Sequence, residues 1–508
     1  MNFDIIVLGS GIAGLTCASR LSKLGYKVGV FEKHHIPGGY ATNFKRRGYN
    51  FDVSLHGIGG LDNGGNTHNI LNYCGVLDKI TPIKNEIAYS VPFKGKLIDI
   101  PNDLDSYKKL LFDLFPNEVK NIDKLFKDIF KFKAGFEKFI LDKDATILDK
   151  LNTDCLMFIK WSGKTTDEVI RNYVDNDDFV YVFTALWPYY GLPPKELCAL
   201  YYFIPWISYH IHGKYYIQGG AQQLSDSFVE VIKENGGSVN LRSEVTSINF
   251  EDNEAKSITL KNGETFTAKY IVSNINPIHT FNMAKNYVVP KKYMDKVTKP
   301  TIGCSLSQLY IGLDCNPKEL NIPPEEVFYF DIGTPEENYK LSIDSNYEKC
   351  GILLTNYSSM DESFNEYDKG VLAVTIIDNY DAWSKDRSEY VEQKKNLENI
   401  LINRLEEKFP GIKEHIVVTE LGTPRTMERY TNNPKGAVYG YAQSVKQASR
   451  HRLSSDTPVK NLFLVGAWVN PGGGYEGSIS SGMVVAQNIA KKLVQKDGKR
   501  VEYPQVEL

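Results

Sequence analysis

"IIVLGSGIAGLTCASRLSKLGYKVGVFE", Ile5 to Glu32, decides the fold of this chain of 508 residues. The β-branched run Ile5 to Leu8 enters a loop, Gly9-Ser10-Gly11-Ile12-Ala13-Gly14. Leu15, Ala18, Leu21 and Leu24 then recur at helical intervals up to Gly25, and Lys27 to Glu32 reads as a second strand. A G-x-G-x-x-G loop between strand and helix is the dinucleotide-binding arrangement. Gly9 makes the tight turn, Gly11 lets the backbone approach a pyrophosphate, and Gly14 lets helix and strand pack closely. Ser10 and Ala13 complete the loop, and the helix start offers unpaired N–H groups to the phosphates. Glu32, eighteen residues past Gly14, is placed to accept hydrogen bonds from ribose hydroxyls.

A second glycine turn follows in "FEKHHIPGGYATNF", Phe31 to Phe44, where Gly38 and Gly39 come six residues after Glu32. A simple nicotinamide dehydrogenase has no evident use for it.

Composition narrows the function class. Apolar residues make up 42% and charged residues 24%, as in ordinary soluble proteins. The net charge of -3 argues against a nucleic-acid partner, which calls for a basic face. Aromatic content is 12%, with 31 tyrosines and 25 phenylalanines, which suits an apolar tunnel or a well-filled core. The seven cysteines are scattered without a C-x-x-C pair, as expected for free thiols in a reducing compartment, and no metal site is expected. His34-His35 and His210-x-His212 lack companions at zinc-like spacing and read as surface or turn histidines. No signal peptide is evident before the first strand, and the apolar run Leu197 to Ile207 is too short to span a bilayer. The expected location is cytoplasmic, with membrane association left open.

Further α/β signals lie in the middle and at the end of the chain. Gly219 to Leu224 opens an amphipathic helix, strands follow from Ser238, and Asn262-Gly263 marks a hairpin turn. Near the C-terminus, Asn461 to Gly466 reads as a buried strand, followed by Pro471 to Gly474 and a helix from about Glu476. The expected architecture is α/β, with a cofactor domain in three pieces (1–75, 215–290 and 450–508). A substrate domain in two pieces (76–214 and 291–449) is inserted into it.

The stretches "IPGGYATNFKRRGYNFDVSLHGIGG", "ALWPYYGLPPKELCALYYFIPWISYHIHGKYYIQGGAQQLSDSF", "TPRTMERYTNNPKGAVYG" and "NLFLVGAWVNPGGGYEGSISSGMVVAQNIA" appear in this order. The whole chain resembles the flavin amine oxidase superfamily. More closely, it is similar to the branch that holds phytoene desaturases, carotenoid isomerases and retinol saturases. This resemblance implies a Rossmann-type, glutathione-reductase-type FAD domain with an inserted α+β substrate domain. It also explains the second glycine turn, which runs beneath the FAD where a Cβ would collide. Cofactor contacts are implied for Lys33, Tyr40, Ala41 and Thr42 as well as Gly38 and Gly39; Tyr40 departs from the family's usual arginine. Val245 is implied at the adenine edge, with Asn274 close behind it. Gly466, Glu476, Gly477 and Ser478 are implied at the flavin end, where the positive helix start stabilises reduced flavin.

The candidate catalytic residues are Glu476, His56 and Tyr439. Glu476 reads either as a carboxyl with a raised pKa that exchanges protons with substrate, or as a helix-start residue. His56 reads as a proton donor or steering group, or as a structural hydrogen-bonding residue. Tyr439 and the aromatic block Tyr181, Phe183, Trp187, Tyr189, Tyr190, Tyr201, Tyr202, Phe203 and Trp206 are candidates for an apolar substrate wall, although most of the block suits a core equally. Only one dinucleotide fingerprint has the right context, so the external electron donor or acceptor is left unidentified. The resemblance implies desaturation, saturation or cis–trans isomerisation of a long apolar polyene. A flavin amine oxidase and a non-catalytic lipid-binding protein on the same fold are the alternatives.

Overall fold

The computed structural model describes residues 2–138, 153–330, 333–364 and 369–497. Parts of the expected domain pieces therefore lie outside the described residues: 139–152 of 76–214, 331–332 and 365–368 of 291–449, and 498–508 of 450–508.

Two sheets organise the described chain. In the first, which has eight strands, Asn2–Leu8 pairs in parallel with Val28–Phe31 on one side and Thr265–Ser273 on the other. Ser238–Asn240 extends the sheet beyond Val28–Phe31, and Leu462–Leu464 pairs with Thr265–Ser273, both in parallel. The hairpin strands Val245–Glu251 and Glu254–Leu260 continue it antiparallel. Ile5, Ile6, Val7 and Leu8 are all buried, because helices cover one face and further structure the other. This explains why the sequence reads as an unbroken apolar run without alternation. Helix Ile12–Lys23 packs against the C-terminal helix Gly474–Asp497. The approach is close enough that a Cβ on Gly482 would lie 2.3 Å from the Ala13 carbonyl oxygen.

The second sheet has seven strands in the order Ile416–Gly422, Ser305–Leu313, Gly370–Asp378, Ile352–Asn356, Glu326–Tyr329, Ile87–Phe93 and Lys96–Pro101. It is antiparallel except where Glu326–Tyr329 meets Ile87–Phe93. A helical layer including Val119–Phe136 and Ala199–His212 shares a core with its Ile87–Phe93 side. The apolar run beginning at Leu197 forms most of helix Ala199–His212, with Tyr202, Phe203 and Trp206 buried. Among the described residues no helix is long and apolar enough to cross a membrane.

One reading is corrected. His210 is not a surface histidine: it is 3% exposed, four residues after Trp206 on the inward face of its helix. Its ring lies 4.6 Å from that of Tyr107 and 4.7 Å from that of Trp206. Burial, aided by nearby Lys214, pushes its pKa down to about 3.

Candidate active site

A single cavity of about 1290 Å³ is lined by loops of the first sheet, strands of the second and the aromatic segment between them. Small-molecule sites usually occupy roughly 300–1,000 Å³, so this one has room for an extended cofactor and a further ligand.

One end is a glycine cradle. Gly14 lies behind it, where a Cβ would come 2.6 Å from the Gly9 carbonyl oxygen, so it serves helix–strand packing and does not line the cavity. Ser10 also stays outside the lining; its N–H and hydroxyl donate to Glu32 Oε2 at 2.8 and 2.9 Å. The Glu32 carboxylate takes a third bond from the His34 N–H at 2.9 Å and faces the cavity in a fixed position. The second glycine turn packs directly on the first: the Gly38 N–H donates to the Ser10 carbonyl at 2.9 Å. A Cβ on Gly39 would lie 3.3 Å from Gly11 Cα. The Asn274 side chain sits between Gly11 and Gly466, with Nδ2 2.3 Å from a Cβ placed on Gly11 and Oδ1 2.7 Å from one placed on Gly466.

Gly9, Gly11, Ala13, Lys33, Tyr40, Ala41, Thr42 and Val245 line the same cavity. Lys33 Nζ donates to Asn432 Oδ1 at 2.8 Å and Thr42 Oγ1 to Gln222 Oε1 at 2.5 Å. Tyr40, in the place of the usual arginine, donates to the Ala437 carbonyl at 3.3 Å, and burial pushes its phenol up to about 12.

Helix Gly474–Asp497 starts at the cavity wall, where Glu476, Gly477 and Ser478 join the lining. Gly472 and Gly473 let the preceding turn pass close to the Tyr201 ring and the Tyr439 backbone. Glu476 Oε1 accepts from the Gly59 N–H at 2.9 Å, so the glycine-rich stretch after Gly57 serves to hold this acid. Burial pushes its carboxyl up to about 7, against the opposing effect of its bonds to Ser208 and Gly59. A carboxyl that titrates near neutrality in a cavity is suited to proton exchange.

Residues 12–300 match the family described as flavin containing amine oxidoreductase. The chain belongs to this family. Its cofactor is FAD, and the cradle fits it: Gly11 and Gly38 line the cavity where a Cβ would come 2.3 Å from Asn274 Nδ2 and 2.0 Å from the Ala41 carbonyl oxygen, so bare backbone faces the cofactor space. The all-trans-retinol 13,14-reductase of Danio rerio is 27% identical over 92% of this chain and 82% of its own length. The chloroplastic prolycopene isomerase of Daucus carota is 24% identical, over 97% and 80%. The crystal structure of an oxidoreductase from Methanosarcina mazei shares the fold with a TM-score of 0.63, at 18% identity over 96% of this chain and 100% of that one.

Beyond the FAD cradle the cavity wall is aromatic. Tyr189, Tyr190, Tyr201, Tyr209 and Tyr439 line it, with His56 among them. A smaller cavity of about 40 Å³ behind His56 adds Trp187, Phe328 and Phe330. Phe183, Tyr202, Phe203 and Trp206 from the same sequence block are core residues, and the Tyr181 hydroxyl donates to the Pro92 carbonyl at 2.9 Å.

Sequence reasoning missed the residues that set His56. Asp52 is buried and accepts from the N–H groups of Ser54, Leu55 and Ala221 at 3.0, 2.8 and 2.7 Å, and from the Tyr216 hydroxyl at 2.9 Å. It thereby pins the turn leading to His56 onto the start of helix Gly220–Glu234. His56 Nδ1 lies 3.1 Å from Glu326 Oε1 and 3.0 Å from Thr355 Oγ1. Glu326 in turn pairs with Lys214, whose Nζ also donates to the Ala88 carbonyl at 2.6 Å. Burial alone would raise the Glu326 carboxyl, but Lys214 and His56 outweigh it and hold the group down. Lys214 and Glu326 are 112 positions apart and sit in no motif; the one local signal was an acid pair, Glu325-Glu326, opening an apolar strand. The possible ligand trio Asp314, Cys315 and His415 lies outside the cavity, with His415 Nδ1 already 2.9 Å from Asp314 Oδ1.

Proposed function

We propose that this chain is an FAD-dependent oxidoreductase acting on a carbon–carbon double bond of a long apolar polyene. The observation that carries this reading is the joining, in one cavity, of a glycine cradle suited to FAD and an aromatic wall suited to an apolar chain. The relatives support the choice: one is a reductase of all-trans-retinol and another an isomerase of prolycopene. Bound FAD supplies hydride or electron exchange with the double bond.

The protein's own residues do the rest. Glycines 9, 11, 38 and 39 with Glu32 hold the cofactor, and the helix beginning at Gly474 favours negative charge at the flavin end. Tyr190, Tyr201, Tyr209 and Tyr439 exclude water from the polyene and hold it extended. Glu476, with a carboxyl near neutrality, exchanges the proton that accompanies hydride gain or loss at the neighbouring carbon. We assign the cofactor domain to 1–75, 215–290 and 450–508, and the substrate domain to 76–214 and 291–449. Electrons enter or leave through a separate donor or acceptor, because the single strand–loop–helix fingerprint is given to FAD. Phe130, Leu156 and Ile159, 46%, 51% and 47% exposed on two packed helices with Lys127 and Lys160 nearby, support peripheral contact with a membrane.

The test is product analysis of the purified holoenzyme, oxidised and reduced, after anaerobic incubation with all-trans-retinol or prolycopene, and aerobically with a primary amine. A polyene product with altered double bonds supports the reading. Peroxide from the amine with both polyenes unchanged points to an amine oxidase, and no conversion at all points to a lipid-binding protein.

A further inference from the structure

A tunnel for a pure hydrocarbon has no use for charge, yet Lys214 and Glu326 are 6% and 0% exposed and lie just behind the aromatic wall. Burying an ion pair is costly unless its geometry and hydrogen bonding are good. Here the pair leads to one ring. His56 is packed between Tyr189, with centroids 5.8 Å apart, and Tyr357, at 6.1 Å, and its side chain is 12% exposed. The ring lines both the main and the smaller cavity.

Its protonation pattern follows from its neighbours. The groups facing Nδ1 are the Glu326 carboxylate at 3.1 Å, the Thr355 hydroxyl at 3.0 Å and the Tyr357 hydroxyl at 3.4 Å. Glu326 Oε1, 3.1 Å from Nδ1, has no hydrogen-bond partner elsewhere among the described residues, so a proton on Nδ1 is the donor placed to meet this carboxylate, whereas a bare Nδ1 would set its lone pair against it. Nε2 is then an acceptor, and among the described residues no side chain or backbone group is bonded to it. Other unpartnered polar atoms line the same region: the Tyr190 hydroxyl, Gln308 Nε2 and Thr375 Oγ1. Gln308 and Thr375 are direct ladder partners in the second sheet. A hydrocarbon leaves His56 Nε2 unpaired as well, and an unpaired buried polar group is penalised.

We propose that Lys214, Glu326 and His56 form a recognition chain for a hydroxyl group, so that the substrate is an alcohol-terminated polyene whose O–H donates to His56 Nε2. The inference rests on the polyene reading above and narrows it. Lys214 keeps Glu326 ionised, Glu326 fixes the tautomer, and His56 makes the contact; the first two are positioning residues. A terminal carboxylate is disfavoured, because it brings no proton to Nε2 and places a second negative charge near Glu326. A hydrocarbon or an ether offers no donor.

The experiment measures binding of all-trans-retinol, its methyl ether and retinoic acid to the holoenzyme by quenching of intrinsic fluorescence. All three carry the same polyene and differ at the end group. Retinol is expected to bind at least about tenfold more tightly than the ether, as for loss of one hydrogen bond to a buried acceptor. His56→Phe should bring the two affinities together while leaving the bound flavin spectrum unchanged. The Lys214→Met/Glu326→Gln double variant, which removes both charges together, should also collapse the ratio; a purely structural role would shift all three ligands alike. Equal binding of alcohol and ether by the natural protein overturns the proposal, as does preference for the acid or failure to bind any of the three. A His56→Phe variant with an altered flavin spectrum and an intact alcohol preference also overturns it, by giving His56 to the cofactor. Failure of the polyene reading is distinct: it appears as no conversion of any polyene, whatever the end-group preference.

Discussion

The Gly38 N–H donates to the Ser10 carbonyl at 2.9 Å, locking the second glycine turn onto the first. The two turns therefore form one cradle, and a change in either alters the floor on which FAD lies. Gly38 has φ +117°, and a Cβ there would come 2.0 Å from the Ala41 carbonyl oxygen, a contact that backbone cannot relieve cheaply. Gly38→Ala is expected to lose most of its bound flavin, read as the ratio of visible to protein absorbance after gel filtration. A ratio equal to that of the natural protein would contradict the cradle.

Glu476 titrates at about 7 in the folded chain against 4.5 for an ordinary glutamate. Between those values the folded state holds more protons than the unfolded one, so stability falls as pH rises from 4.5 to 7 and levels off above. Glu476→Gln should remove that slope, as measured by urea midpoints across the range. The same variant should retain FAD but turn over polyene about 100-fold more slowly, with the activity change near pH 7 gone. Full activity would reduce Glu476 to a structural residue.

Glu326→Ala leaves Lys214 buried without its partner and should cost about 3–5 kcal/mol in urea unfolding. The Lys214→Met/Glu326→Gln double variant should cost much less, because neither charge is then stranded. Equal losses would mean that the pair is not coupled in the way its contact implies.

The aromatic block divides into two classes that respond differently. Trp206 is 0% exposed in the core, and Trp206→Ala should cost roughly 3–5 kcal/mol while FAD stays bound. Tyr190 lines the cavity with an unpartnered hydroxyl, and Tyr190→Phe should leave stability within about 0.5 kcal/mol or raise it. Thermal unfolding of the two variants separates the classes; matching losses would erase the distinction.

These contrasts show where sequence reading reaches and where it stops. The first sheet and the glycine cradle are legible because Ile5 to Gly14 and Gly38-Gly39 are local patterns: each residue's role depends on neighbours a few positions away. Glu476 is legible as a helix-start acid or as a carboxyl with a raised pKa, but what decides between them is burial by other segments, which outweighs the lowering effect of its bonds to Ser208 and Gly59. Lys214, Glu326 and Asp52 are ordinary charged residues in sequence and acquire their roles only when distant strands meet. His210 reads as a surface or turn histidine for want of companions at zinc-like spacing, and only the helix places it against Tyr107 and Trp206.

The most direct test of the account is the absorption spectrum of a polyene mixed anaerobically with the holoenzyme, once oxidised and once reduced. The band of all-trans-retinol depends on the number and geometry of its conjugated double bonds, so saturation, desaturation and isomerisation all displace it. The account predicts a displacement in at least one flavin state, abolished when FAD is stripped from the protein and restored when it is returned. A retinol band that stays unchanged in both states, with prolycopene equally unaltered, would contradict the assignment of polyene chemistry to this cavity.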